Sequence, residues 1–142
     1  MNLPQTVLGN DLMDEDHARL ETLFAGVAAT ADGDLAQSLA DIGDELRAHF
    51  AREEAMMREA GLPILHCHIA QHSMLLEELR TGHAAAEAGD HNGLRRFLVE
   101  TLPQLVAGHI DSVDRVSASF LALQTDITDL SGLRLPVPPT CA

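Results

Sequence analysis

Four stretches of this 142-residue chain repeat apolar residues at helical spacing, and each places at least one histidine or carboxylate on its apolar stripe. The pairs that restrict the fold most are His49 with Glu53 and His68 with His72. Residues four apart lie on one face of an α-helix, one turn from each other. An inward carboxylate without a partner is costly to bury. The fold therefore has to set these pairs opposite groups that neutralise them.

The stripes divide the chain. Residues 1–11 lack a pattern and read as an N-terminal arm, 12–124 as the folded domain, and 125–142, with three prolines and a glycine, as an irregular tail. A first helix is expected from about Leu12 to Thr30, capped by Asp11 or a neighbour, with Met13, Leu20, Phe24 and Val27 inward and His17 among them. A second, capped by Asp34, runs from about Leu35 to Ala60 on Leu35, Leu39, Ile42, Leu46 and Met57, with His49 and Glu53 on the same face. Gly61 and Pro63 stop it. A third, about Ile64 to Ala88, carries Leu65, Ile69, Leu75, Leu76 and Leu79 around His68 and His72. The fourth, capped by Asp90, spans about His91 to Gln124, and Pro103 should kink or briefly break it. Its stripes are Leu105, His109, Val113, Val116, Phe120 and Leu123, and beside them Val106, Ile110, Asp114 and Leu121. Long helices with short Gly- and Asp-containing turns predict an all-α, up-down-up-down four-helix bundle.

Composition narrows the function. The apolar residues are mostly Leu, Ala and Val with few aromatics, which favours helices over a sandwich or barrel. A formal charge of −13 argues against nucleic acid or an anionic membrane as partner. No stretch resembles a signal peptide or a membrane span, so a cytoplasmic protein, a monomer or small homo-oligomer, is expected. Two lone cysteines, Cys67 and Cys141, suggest no disulfide framework and make no C-x-x-C pair, and Cys67 is expected to be a small apolar residue.

One inward histidine is usually a hydrogen-bonded core residue. Here seven polar residues face inward: His17, His49, Glu53, His68, His72, His109 and Asp114. A shared cation accounts for them together, neutralising the carboxylates and using the imidazole lone pairs. Five imidazoles and two carboxylates exceed one tetrahedral zinc and are too rich in nitrogen for calcium or magnesium. Two irons bridged by carboxylates would use the whole set. One spacing is awkward: His109 and Asp114 are five apart, about 140° around an ideal helix, and spacing alone does not choose Asp114 over Asp111. His66, His83 and His91 read as surface or bundle-end residues, and Glu54 as a solvated charge or an outer support for the site.

The segments Asp14-Glu15-Asp16-His17, His49-Phe50-Ala51-Arg52-Glu53-Glu54, His68-Ile69-Ala70-Gln71-His72 and His109-Ile110-Asp111-Ser112-Val113-Asp114 resemble, in order, the motifs of the hemerythrin family, in particular the bacterial single-domain members. The resemblance selects Asp114. It implies a non-haem di-iron site, oxo- or hydroxo-bridged, with His68, His72 and His109 on one iron, His17 and His49 on the other, and Glu53 and Asp114 shared. It further implies reversible dioxygen binding for storage, delivery or sensing at the one open position, inside an apolar wall of Phe50, Leu105, Val106 and Ile110. Many members carry Trp where this chain has Leu105, and the chain has no Trp or Tyr, so a roomier pocket is expected. The alternative is a di-iron enzyme or stress protein handling nitric oxide, peroxide or iron, with another small diatomic or anionic ligand in place of dioxygen. An oxygen-binding protein is preferred over an enzyme. A ferritin-like site would need paired Glu-x-x-His motifs, which are absent.

Overall fold

The computed structural model describes residues 7–126, and all the regular structure among them is helical. Helix α1 spans Asp11–Val27, α2 Leu35–Glu59 and α3 Leu65–Glu87. The fourth, α4, runs without a break through residues 91–126. Neighbours in sequence pack on one another and α1 closes the ring against α4, which makes a four-helix bundle. The tail expected from 125 onward lies outside the described residues from 127 on.

The turns follow from local chemistry. At Gly61 (φ 66°) and Gly89 (φ 67°) the chain enters the left-handed region that glycine tolerates. Leu62 N then donates to Met57 O at 3.0 Å and Gly61 N to Arg58 O at 3.1 Å, a Schellman stop to α2. Asp90 N to Ala85 O (2.9 Å) and Gly89 N to Ala86 O (3.1 Å) repeat it after α3. Asn10, rather than Asp11, caps α1 by accepting from Met13 N, and Asp90 caps α4 by accepting from Gly93 N. Asp34 makes no capping bond. It is already helical, closing the 3-10 turn Asp32–Asp34, and a capping side chain needs extended backbone to reach its targets. α1 ends without glycine, and Arg95 from α4 binds Val27 O and Thr30 O instead.

Every expected core residue of α1 and α2 is buried. On α4 the expectation shifts. Leu105, Val116 and Leu123, expected inward, are exposed; Leu94, Leu98 and Leu102, on neither expected stripe, are buried, and Val106 and Ile110 are buried as expected. Of two wide π-helical turns, Phe97–Thr101 and Ile110–Asp114, the second accounts for the exposure of Val116, which lies beyond it. Each accommodates one extra residue and moves the stripe by about 100°, so a strict 3.6-residue period drifts off the core. The first turn also takes up Pro103: Leu102 N bonds Phe97 O, five residues back, and the helix continues where a kink or brief break was expected.

A large apolar cluster, including Leu20, Phe24, Leu39, Leu46, Leu79 and Leu98, fills one end of the bundle. Met57, Leu62 and Ile64 form a smaller one toward the other end. In the large cluster α3 approaches its neighbours at Gly82, where an added Cβ would sit 2.8 Å from the Phe97 ring and 3.0 Å from Leu39. Gly82→Val is expected to destabilise the protein by about 1–3 kcal/mol through overpacking. A drop in thermal midpoint by calorimetry tests this, and an unchanged midpoint would refute the close approach.

Candidate metal centre

The seven inward polar residues all reach one place, and all are buried. α1 supplies His17; α2 supplies His49 and Glu53 one turn apart; α3 supplies His68 and His72 one turn apart; α4 supplies His109 and Asp114. The awkward five-residue spacing on α4 is resolved by its second π turn, in which Arg115 N bonds Ile110 O. The extra residue absorbs about 100° and leaves Asp114 where an i+4 residue would otherwise sit. Asp114 Oδ1 thereby lies 2.8 Å from His109 Nε2, while Asp111 is exposed.

The carboxylates divide their oxygens between two groups of histidines. Glu53 Oε1 lies 3.3 Å from His49 Nε2 and 3.9 Å from His17 Nε2, and Oε2 lies 3.1 Å from His72 Nε2 and 3.3 Å from His68 Nε2. Asp114 does the same. Its Oδ2 is 2.9 Å from His17 Nε2, and its Oδ1 is 3.0 Å from His68 Nε2. Two overlapping ligand sets result, Glu53, His68, His72, His109 and Asp114 on one side and His17, His49, Glu53 and Asp114 on the other. Atoms about 2.1 Å from one cation and at right angles to each other are about 3 Å apart, the scale of these separations.

Orphaned atoms support a cation. Among the described residues Glu53 Oε1, His68 Nε2, His109 Nε2 and Asp114 Oδ1 are buried with no hydrogen-bond partner, although they crowd one another. Buried polar groups are rarely left so. Nitrogen and carboxylate oxygen atoms converging in this way fit a metal ion.

Three of the five outer ring nitrogens are held from behind, whereas His17 Nδ1 and His109 Nδ1 have no hydrogen-bond partner among the described residues. His49 Nδ1 faces Asp16 Oδ2 at 2.9 Å, His72 Nδ1 faces Glu54 Oε1 at 2.8 Å, and His68 Nδ1 faces Ser117 Oγ at 2.6 Å. Such contacts fix the tautomer, leaving Nε2 free to ligate. The sequence reading anticipated Glu54 and missed Asp16 and Ser117. Asp16 sits an i+3 step from Met13 on the α1 stripe, a signal that was present; Ser117 lies beyond the π turn, where the stripe had lost phase.

Phe50, Val106 and Ile110 are buried in the large apolar cluster, and Phe50 stacks on His72 with centroids 3.9 Å apart and planes 10° from parallel. Leu105 differs from them in exposure. It is 37% exposed and lines an open cleft of about 200 Å³ with Met74, Gly108 and His109.

The sequence profile described as the hemerythrin HHE cation binding domain matches residues 8–120. The chain belongs to the hemerythrin family. It is 36% identical over 115 residues to the bacteriohemerythrin of Ralstonia nicotianae, an alignment covering 81% of this chain and 83% of that protein. No solved structure matches the chain. Cation binding, which the hemerythrin profile names, is what the converging nitrogen and oxygen atoms imply on their own. No helix among the described residues is long and apolar enough to cross a membrane.

When no cation is bound, protons share the site unevenly. Burial pushes the His49 pKa down to about 4 and holds that of His109 below its ordinary value. Burial also opposes charge on His68, but the Asp114 and Glu53 carboxylates outweigh it and raise its pKa to about 9. Glu53 and Asp114 are disfavoured as anions by burial, yet their histidine contacts hold both pKa values below the usual carboxylate range. Below about pH 9 His68 therefore carries a proton that a metal must displace, while His49 is already neutral above about pH 4. Zinc added to metal-free protein at pH 7 is expected to release the His68 proton, and its affinity should rise up to about tenfold per pH unit until about pH 9. A pH-indicator titration measures both; an affinity independent of pH between 7 and 9 would refute this assignment.

Proposed function

We propose that the protein reversibly binds dioxygen at a centre of two non-haem iron ions, in a storage, delivery or sensing role. The observation that carries the reading is the division of Glu53 and Asp114, each offering one oxygen to the His17 and His49 side and the other to the His68, His72 and His109 side. One iron would be held on each side, and the pair would supply two electrons and an open coordination position. Membership of the hemerythrin family and similarity to a bacteriohemerythrin support it.

The chain's own part is to bind, orient and exclude water. Counting each shared carboxylate on both sides, the His68 set offers five ligand atoms and the His17 set four, so the His17 side is the less crowded. Phe50, against His72, and the buried Val106 and Ile110 would exclude water from the centre, and a dry wall protects a reduced centre from losing its electrons irreversibly. Leu105 would line the more open approach to His109, in the cleft the two residues share.

The test is optical. Protein loaded with iron, reduced and exposed to air is expected to gain a visible charge-transfer band that vanishes when oxygen is removed, over repeated cycles. Irreversible conversion to the oxidised form within one cycle would overturn oxygen binding and favour an enzyme acting on peroxide or nitric oxide.

A further inference from the structure

His49 does not meet its supporting carboxylate alone. Asp16, 1% exposed, receives His49 Nδ1 on Oδ2, and the same Oδ2 accepts from Arg52 Nε at 2.9 Å. Arg52 closes the fork with its terminal nitrogen on Asp16 Oδ1 at 3.0 Å. Arg19 also contacts Oδ1, and Glu45 ties the two arginines together at 2.7 Å and 3.2 Å. The carboxylate behind His72 is placed differently: Glu54 lies a quarter exposed. One supporting carboxylate is thus buried and clamped by guanidinium groups, and the other reaches solvent.

Resting on the di-iron reading, we propose that Arg52 is a positioning residue for His49 that sets how strongly Asp16 draws on the Nδ1 proton, and so tunes the metal held by His17 and His49 without touching it. A bidentate guanidinium holds a carboxylate in one orientation and offsets its charge. Because Arg52 Nε and His49 Nδ1 share one oxygen, each bond to it weakens the other. Removing Arg52 frees Asp16 to accept the His49 proton more fully, which makes the imidazole a stronger donor at Nε2. Removing the Asp16 charge does the reverse. Two neighbouring residues in one ion cluster therefore act on the metal with opposite sign, which a merely structural clamp does not predict.

The experiment compares Arg52→Gln, Asp16→Asn and Arg52→Lys with the parent. In metal-free protein labelled at histidine, the His49 Nδ1 proton resonance is expected to move downfield in Arg52→Gln and upfield in Asp16→Asn. Zinc affinity, measured by chelator competition, is expected to fall about tenfold in Asp16→Asn and to rise in Arg52→Gln. The midpoint potential of the iron-loaded protein should fall in Arg52→Gln and rise in Asp16→Asn, by 59 mV for each tenfold change in the preference for the oxidised ion. Arg52→Lys, which keeps the charge without the fork, should lie between Arg52→Gln and the parent. Shifts of the same sign in Arg52→Gln and Asp16→Asn, or no movement in Arg52→Gln, would overturn the proposal. Should Arg52→Gln not fold, Arg52→Lys carries the same test, and a lysine variant identical to the parent would overturn it. A parent that binds fewer than two metal ions overturns the di-iron reading instead, and the proton resonance, read without metal, still decides the role of Arg52.

Discussion

Replacing Glu53 with alanine is expected to leave no more than one metal ion per chain where the proposed di-iron centre holds two. Glu53 is fully buried, and its two oxygens face opposite histidine groups, so no other residue substitutes for either contact. Its loss removes one negative charge from a pocket that, in the proposed centre, offsets two cations, and leaves His49, His68 and His72 facing each other across a gap. Carboxylate charge is what allows cations to sit close together in a low-dielectric interior. The fold should survive. Asp114 still faces His17, His68 and His109, so the cost without metal stays near the lower end for breaking a buried pair, about 3 kcal/mol. Elemental analysis against protein concentration gives the ratio directly, with circular dichroism as the check on folding. Two ions retained in a folded Glu53→Ala protein would show that Glu53 is not shared between metals.

The inward position of Glu53 is legible from spacing alone. His49 and Glu53, like His68 and His72, are four apart on regular helices, so their common face is a consequence of the α-helical period. The stripes of α1 and α2 are legible for the same reason. That of α4 is not, because a π turn leaves no recognisable local pattern. It inserts one residue into the period, and every position after it is displaced when an ideal helix is drawn through the sequence. The exposure of Val116, beyond the second wide turn, follows from that displacement. The supporting residues are hard to see for a different reason. Asp16, Arg52 and Ser117 act through contacts between helices, and spacing along one helix carries no information about which neighbour a side chain will meet.

The second π turn supports a prediction that runs against the usual expectation for deletions in a helix. Removing Ser112 should preserve the metal centre, whereas inserting one alanine after Asp111 should abolish binding on both sides. In the parent, the bond from Arg115 N to Ile110 O spans five residues, and the surplus residue is what lets Asp114 stand beneath His109. With Ser112 gone, the segment can close as an ordinary α-turn with the aspartate four residues after the histidine, in the same place. Ser112 is a suitable residue to remove because it is exposed and its hydroxyl bonds only within its own helix, to Gly108 O. Residues after the turn keep their phase, so Ser117 still reaches His68. An insertion instead adds a further step of about 100° and carries Asp114 and Ser117 away from the centre together. Helix propensity separates the two variants little, since neither introduces glycine or proline. Metal content and thermal midpoint of both proteins provide the comparison. If the deletion loses metal as completely as the insertion while remaining helical, the wide turn does more than set phase, and the fit of His109 and Asp114 around the ion depends on its geometry.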